Sequence, residues 1–232
     1  MSIWQRIGEV LDGSVGAAGA VFDWASGLFG RIGDPVVRRQ VAFSMAIIGL
    51  SAKMAKADGI VTTEEVAAFR KLFAMPTGEE RNMARLFDLA KRDVAGFESY
   101  ARRIAAIYGA DREGLEDVVD GLFAIARADG AVHRAEYSYL ERVAEIFGIT
   151  GIDFERIAAR HVVPEEGDPY LILGVERAAP FAEIKRHYRR LVADNHPDKL
   201  IARGVPEEFI VIATERLAAL NRAYERIERE LG

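Results

Sequence analysis

Between residues 35 and 160 apolar side chains return every three or four positions, and no alternation in twos runs long enough to build a sheet. That spacing admits helices and little else. The run at residues 41–52, "VAFSMAIIGLSA", is uncharged and lies between Arg38, Arg39 and Lys53. A spanning helix needs about 20 apolar residues, so this length predicts a helix buried in protein. Further helices are expected over residues 64–74, 79–91, 97–108, 112–128 and 134–147. Gly59, Gly109, Gly130 and Gly148 stand where helices would stop. The expectation is an all-α bundle.

The bundle carries an internal echo. "AKADGIVTTEE" at residues 55–65 returns as "ARADGAVHRAE" at residues 126–136. Both turns place a glycine after an aspartate, a valine two residues later and a glutamate seven residues after the aspartate. Two helix–turn–helix units with the same turn chemistry predict a pseudo-symmetric arrangement. The same letters form the second half of an EF-hand-type calcium loop. The first half needs oxygen ligands where this chain has Met54, Lys56, Ile125 and Arg127, which speaks against an ordinary calcium site.

The paired A-D-G-x-V turns in a helical block of this size resemble the TerB domain, with the likeness covering about residues 35–160. That resemblance implies a helical module and brings a metal suggestion with it. Asp58, Glu65, Asp129 and Glu136 would be the candidates for a divalent ion, and no other cofactor is expected. Carboxylates at these places also cap helix N-termini, which is the structural alternative.

Ahead of the bundle, residues 1–34 form a Gly/Ala-rich segment without the cationic start of a secretory signal. Ile3, Ile7, Val10 and Leu11 share one helical face, so the segment is expected to be amphipathic. Residues 1–30 would pack on the protein, on a second copy, or on a membrane surface as a peripheral contact. Asp12 and Asp23 confine the uncharged run. The location expected is cytoplasmic, with the periphery of the inner membrane as the alternative.

Composition narrows the function. With 31 Lys+Arg against 36 Asp+Glu, the formal net charge of −5 argues against nucleic acid as a partner. There is no cysteine, which removes disulfides, thiol nucleophiles and cysteine-held zinc. His133 and His161 are isolated in sequence, and no nucleophile–base pair or glycine-rich phosphate loop is visible. An enzyme is not expected.

Two prolines and a glycine break the helical rhythm after residue 160, so residues 161–167 read as a linker. Residues 168–232 then carry three helical segments. Asp168 is placed as an N-cap, Pro169 at the first helical position and Gly174 as the stop. In "APFAEIKRHYRRLVADN", Phe181, Ile184, Tyr188, Leu191 and Val192 fall on one face, and Lys185, Arg186, Arg189 and Arg190 on the other. In the last segment Phe209, Ala213, Leu217, Leu220, Tyr224, Ile227 and Leu231 make one stripe. These two helices are expected to pair antiparallel across a loop at residues 196–205. Pro197 ends the preceding helix, and Asp198 is expected to hold backbone amides of the turn. A helix stop requires neither His196 nor an outer face of four cations with no acid before Asp194.

"DPYLILGV", "EIKRHYRRLVADN", "HPDKL" and "LNRAYERI" together resemble the J domain, covering about residues 168–231. J domains dock on Hsp70 ATPases of the DnaK type and stimulate their ATP hydrolysis. By that resemblance His196, Pro197 and Asp198, with Lys185, Arg186, Arg189 and Arg190, would form the Hsp70 contact. Asp194 and Asn195 depart from the common pattern, where a cation and a tyrosine precede the motif. The loop after the motif lacks the usual Asn-Pro. A TerB-like block followed by a J domain resembles the DjlA family of bacterial J proteins, whose N-terminal anchor does not carry over because of Asp12 and Asp23. The function expected is a co-chaperone whose N-terminal block recruits a client of unknown identity. The alternative is a stress-response or metal-associated adaptor.

Overall fold

A computed structural model describes residues 33–57, 84–85, 87, 90–91, 96–127, 130–161 and 167–231. The amphipathic segment at residues 1–30, the helix expected over residues 64–74, most of that expected over 79–91, and the first A-D-G-x-V turn lie outside the described residues. Among the described residues regular structure is helical throughout.

Helix α1 (Pro35–Ala57) starts where Asp34 accepts from the Val36 amide at 2.9 Å with Pro35 at the first position. Residues 41–54 are buried without a break. A helix buried on every side needs neighbours all round, and this one is the axis of the bundle. Its one charge in that stretch, Lys53, lays its ammonium over the Tyr100 ring, 4.7 Å from the centroid.

Around it stand α2 (Phe97–Tyr108), α3 (Arg112–Ala126), α4 (Arg134–Ile146) and α5 (Ile152–Ala159). Each begins or ends on local chemistry visible in the sequence. Asp111 accepts from Gly114 N at the start of α3, and Glu136 accepts from the His133 amide at the start of α4. Gly109 and Gly148 take positive φ after α2 and α4.

The C-terminal part comprises α6 (Pro169–Leu173), α7 (Phe181–Asp194), α8 (Pro197–Arg203), a 3-10 turn (Glu207–Phe209) and α9 (Ile210–Leu231). Asp168 accepts from Tyr170 N, Pro169 opens α6, and Gly174 closes it in the left-handed region. Helices α7 and α9 pair as the two stripes predict. Tyr188 and Tyr224 stack with centroids 4.1 Å apart, and Ile184 is fully buried between them and α6.

Two expectations need correcting. The stripe on α9 does not serve one partner. Leu220, Tyr224 and Ile227 join Tyr170, Leu173 and Ile184 in the C-terminal core. Phe209 and Ala213, with Ile212, belong instead to the core of the α1–α5 bundle, together with Leu200 and Val205. Length explains the division. At about 1.5 Å per residue α7 spans about 21 Å and α9 about 33 Å, so the first turns of α9 overshoot α7 and must bury their apolar face elsewhere. Phe209 meets Phe43 of α1 edge-on at 5.1 Å. Two glycines allow the approach. A Cβ on Gly121 of α3 would lie 2.8 Å from Ile47 and 3.0 Å from Ile212, and one on Gly204 would lie 2.4 Å from Arg39 Cβ.

The second correction concerns His161, the first residue of the expected linker, which is buried. Its ring stacks on Phe123 at 5.5 Å and its Nε2 donates to Asp120 at 3.1 Å. Residues 162–166 lie outside the described residues.

A buried ionic seam accompanies the shared core. Arg216 of α9 donates through Nε to Asp120 and through Nη1 to Asp117, both at 2.7 Å, with all three side chains at most 5% exposed. Arg160 donates to Asp120 at 3.0 Å. Arg203, at the end of α8, grips both oxygens of Asp117 at 3.0 and 2.9 Å and reaches Glu113. Burial pushes the Asp120 carboxyl up, but Arg216, Arg160 and His161 more than reverse this and hold it well below the usual carboxylate range. Burial opposes the charge on Arg216 as well, and Asp120 and Asp117 raise it above the ordinary guanidinium value.

A carboxyl held below its unfolded value, about 3.9, stabilises the fold above that pH and loses the contribution as pH falls below it. Stability should therefore drop on acidification below about pH 4, and Asp120→Asn should flatten that slope while lowering stability at neutral pH by about 3–5 kcal/mol. Denaturant titrations across a pH series measure both. Phe209→Ala should cost about 3–5 kcal/mol. Near-ultraviolet and amide probes in α1–α3 should register the loss alongside those in α9; a loss confined to α6–α9 would contradict a shared core.

Candidate functional site: the His-Pro-Asp turn and its basic flank

The turn sits between two helices, not on a loose loop. Helix α7 ends at Asn195, whose backbone N–H and side-chain Nδ2 both donate to Leu191 O, at 2.9 and 2.8 Å. His196 is extended, with φ −65° and ψ 138°, as the residue before a proline should be. Pro197 then occupies the first position of α8, where its missing N–H costs no hydrogen bond. Gly204, at φ 102°, closes that helix. The expected loop at residues 196–205 thus holds a helix of its own, and the motif is both a stop and a start.

Within the turn one role differs from expectation, that of Asp198. The Asp198 carboxylate does not hold backbone amides. His196 Nδ1 accepts from Asp198 N at 3.3 Å and serves as the N-cap. Asp198 is left with its side chain 88% exposed, its nearer oxygen 3.6 Å from His196 Nδ1. The arrangement presents one carboxylate on a short, capped helix start.

The four cations predicted on one face lie together on α7. Arg186, Arg189 and Arg190 are exposed and Lys185 is partly buried. Among the described residues none of the four forms an ion pair; Arg190 donates to His187 Nδ1 at 2.9 Å, while His187 Nε2 donates to Leu173 O. Asp194, the next acid along the chain, turns to Lys199 at 2.7 Å instead. The apolar side of α7 is fixed by Ile184 and by the Tyr188 hydroxyl, which donates to Asn221 at 2.9 Å. The face therefore carries four cations without a direct ion pair on the helix that leads into the Asp198 turn, a combination suited to docking on an acidic surface.

Of the four metal candidates, Asp58, Glu65 and Asp129 lie outside the described residues. Glu136 is buried, and its Oε2 accepts from the His133 amide at 2.8 Å, which is the capping alternative.

Several residues that position the turn escaped the sequence reading. Asn195 Oδ1 accepts from Arg216 Nη1 at 2.9 Å, which connects the turn to Asp117 and Asp120 of α3. The available signals were Arg216 beside the apolar stripe of α9 and two aspartates three residues apart in the otherwise apolar run of α3.

Comparison with known proteins follows the same division. Residues 44–159 match the family described as "Tellurite resistance protein TerB", and residues 168–230 match the "DnaJ domain". Proteins named "Co-chaperone protein DjlA" align over most of the chain. The one from Vibrio cholerae is 28% identical over 89% of this chain and 84% of its own length. That from Aliivibrio fischeri is 27% identical over 97% and 90%, and that from Coxiella burnetii 26% over 76% and 73%. No solved structure matches.

His196→Ala removes the cap acceptor. It should cost about 1 kcal/mol of local stability and speed hydrogen exchange at Asp198 N, leaving α9 amides unchanged; two-dimensional NMR exchange measures each amide separately.

Proposed function

We propose a function from one premise: the chain belongs to the TerB family and carries a DnaJ domain behind its TerB domain, the architecture of a J-domain co-chaperone. It docks on an Hsp70 of the DnaK type and stimulates that partner's ATP hydrolysis. The reaction is the partner's, and this chain contributes contacts to it.

The observation that supports this most is the pairing of an exposed carboxylate on an ordered helix start with a basic face that forms no ion pair among the described residues, on the helix that leads into it. The basic face would be drawn to an acidic surface and set orientation, since clustered like charges steer encounter. Asp198 would then reach a cationic or amide-rich point of the partner. His196 and Pro197 act inside the turn, one as cap and one as the helix's first residue, and so hold Asp198 in place. Recruitment of a client falls to the TerB domain, since the exposed faces of α7 and α8 are taken by Hsp70.

Single-turnover ATP hydrolysis by a bacterial Hsp70 of the DnaK type tests this. Wild type should accelerate hydrolysis, and His196→Gln, folded by circular dichroism, should abolish the acceleration. Raising ionic strength from about 0.05 to 0.5 M shortens the Debye length to about 4 Å and should raise the half-maximal concentration by about tenfold. A concentration unmoved by salt would remove the basic face from the mechanism.

A further inference from the structure

The sequence treats the TerB and DnaJ domains as separable, yet the His-Pro-Asp segment is held at both ends by one side chain of the TerB domain. Before the motif, Asn195 is tied through its Oδ1 to Arg216 Nη1 at 2.9 Å, and the same nitrogen donates to Asp117 Oδ1 at 2.7 Å. After the motif, α8 ends on Arg203, whose Nη2 lies 3.0 and 2.9 Å from the two oxygens of Asp117. Asp117 is thus the common node of the two flanks. Between them Leu200, in the first turns of α8, is buried in the core that the TerB domain builds.

We infer that Asp117 of the TerB domain, acting through Arg216 and Asn195 on one side and Arg203 on the other, positions the His196-Pro197-Asp198 turn for its partner. The TerB domain is then part of the stimulating device and not only a carrier of clients. This rests on the Hsp70 reading above.

The argument is geometric. Helix α8 has only seven residues, and isolated helices of that length are unstable in water. Its orientation must come from what it is tied to. The capping contact from His196 fixes the turn internally but not relative to α7, which carries the basic face. Two partner contacts must be presented at once, and the relative placement of α7 and α8 decides whether both can be made. Asn195 joins α7 to Arg216, and Arg203 joins α8 to Asp117, so one rigid node sets that placement. The basic face depends on none of these bonds, because α7 is seated on α9 by Ile184, Tyr188 and Tyr224.

The two roles separate in a concentration series of stimulated single-turnover hydrolysis. Asp117→Asn should lower maximal stimulation by about tenfold, since displacing a contact by about 1 Å carries penalties of that order or more. The half-maximal concentration, set by the basic face, should move less than about twofold. A merely destabilised variant shows the reverse: an unfolded fraction raises the half-maximal concentration and leaves the maximum intact. Asn195→Ala, which spares the ion pairs, is the second variant and should reproduce the lowered maximum. Exchange at the Asp198 and Lys199 amides of the free protein should accelerate in both. If wild type stimulates, His196→Gln does not, and both variants match wild type, the inference is overturned and the Hsp70 reading stands. If wild type itself fails to stimulate, that reading falls and the inference with it.

Discussion

The pair formed by Arg216 and Asp117 is the constraint on which the arrangement of this chain depends. Arg216 is 5% exposed in the middle of a long helix. A guanidinium so placed must have its hydrogen bonds and countercharge supplied from elsewhere in the fold, because an unpaired buried charge costs several kcal/mol. Asp117 and Asp120, three residues apart and therefore on the same side of α3, supply the countercharge and accept from Nη1 and Nε, while Nη2 has no partner among the described residues. Once they do, α9 cannot slide or rotate against the bundle. The apolar residues next to Arg216 then have fixed destinations: Phe209, Ile212 and Ala213 in one core, Leu220 and Tyr224 in the other.

The helices were legible because their signals are local. The uncharged run at residues 41–52, the stops at Gly109, Gly148 and Gly174, and Pro169 behind Asp168 each say what they do within a few positions. The amphipathic division of α7 was legible for the same reason. Helix α8 has its marks too, with Pro197 at its start and Gly204 just past its end, but a proline directly behind a helix signals an end as strongly as a start. The seam was not legible. A periodic stripe says that a face is buried and not against what, so the α9 stripe gave no sign that it divides between two cores. His161 carried no signal at all, since its partner Asp120 is 41 positions away.

The departures from the common pattern before the motif acquire a physical role here. Asp194 neutralises Lys199 at 2.7 Å, so the lysine that follows the turn does not extend the basic face of α7. Asn195 has a donor and an acceptor on one short side chain. It closes α7 by donating to Leu191 O and accepts from Arg216 in the same geometry. A tyrosine at this place would carry its hydroxyl too far out to do both. Of the two departures, Asn195 is the one that attaches the motif, through Arg216, to the TerB domain.

An apolar seam would have been the cheaper solution. Replacing buried ion pairs with hydrophobic residues of the same volume is often neutral or stabilising, so stability alone does not explain Asp117, Asp120, Arg203 and Arg216. What charge adds is register. Apolar surfaces tolerate small shifts, whereas two guanidinium groups sharing one carboxylate satisfy their bonds in one relative position. For two helical units that only had to stay together, Phe209 against Phe43 would suffice. For a turn that must face a partner at a set angle to the basic helix behind it, the node at Asp117 is the feature that makes the angle definite.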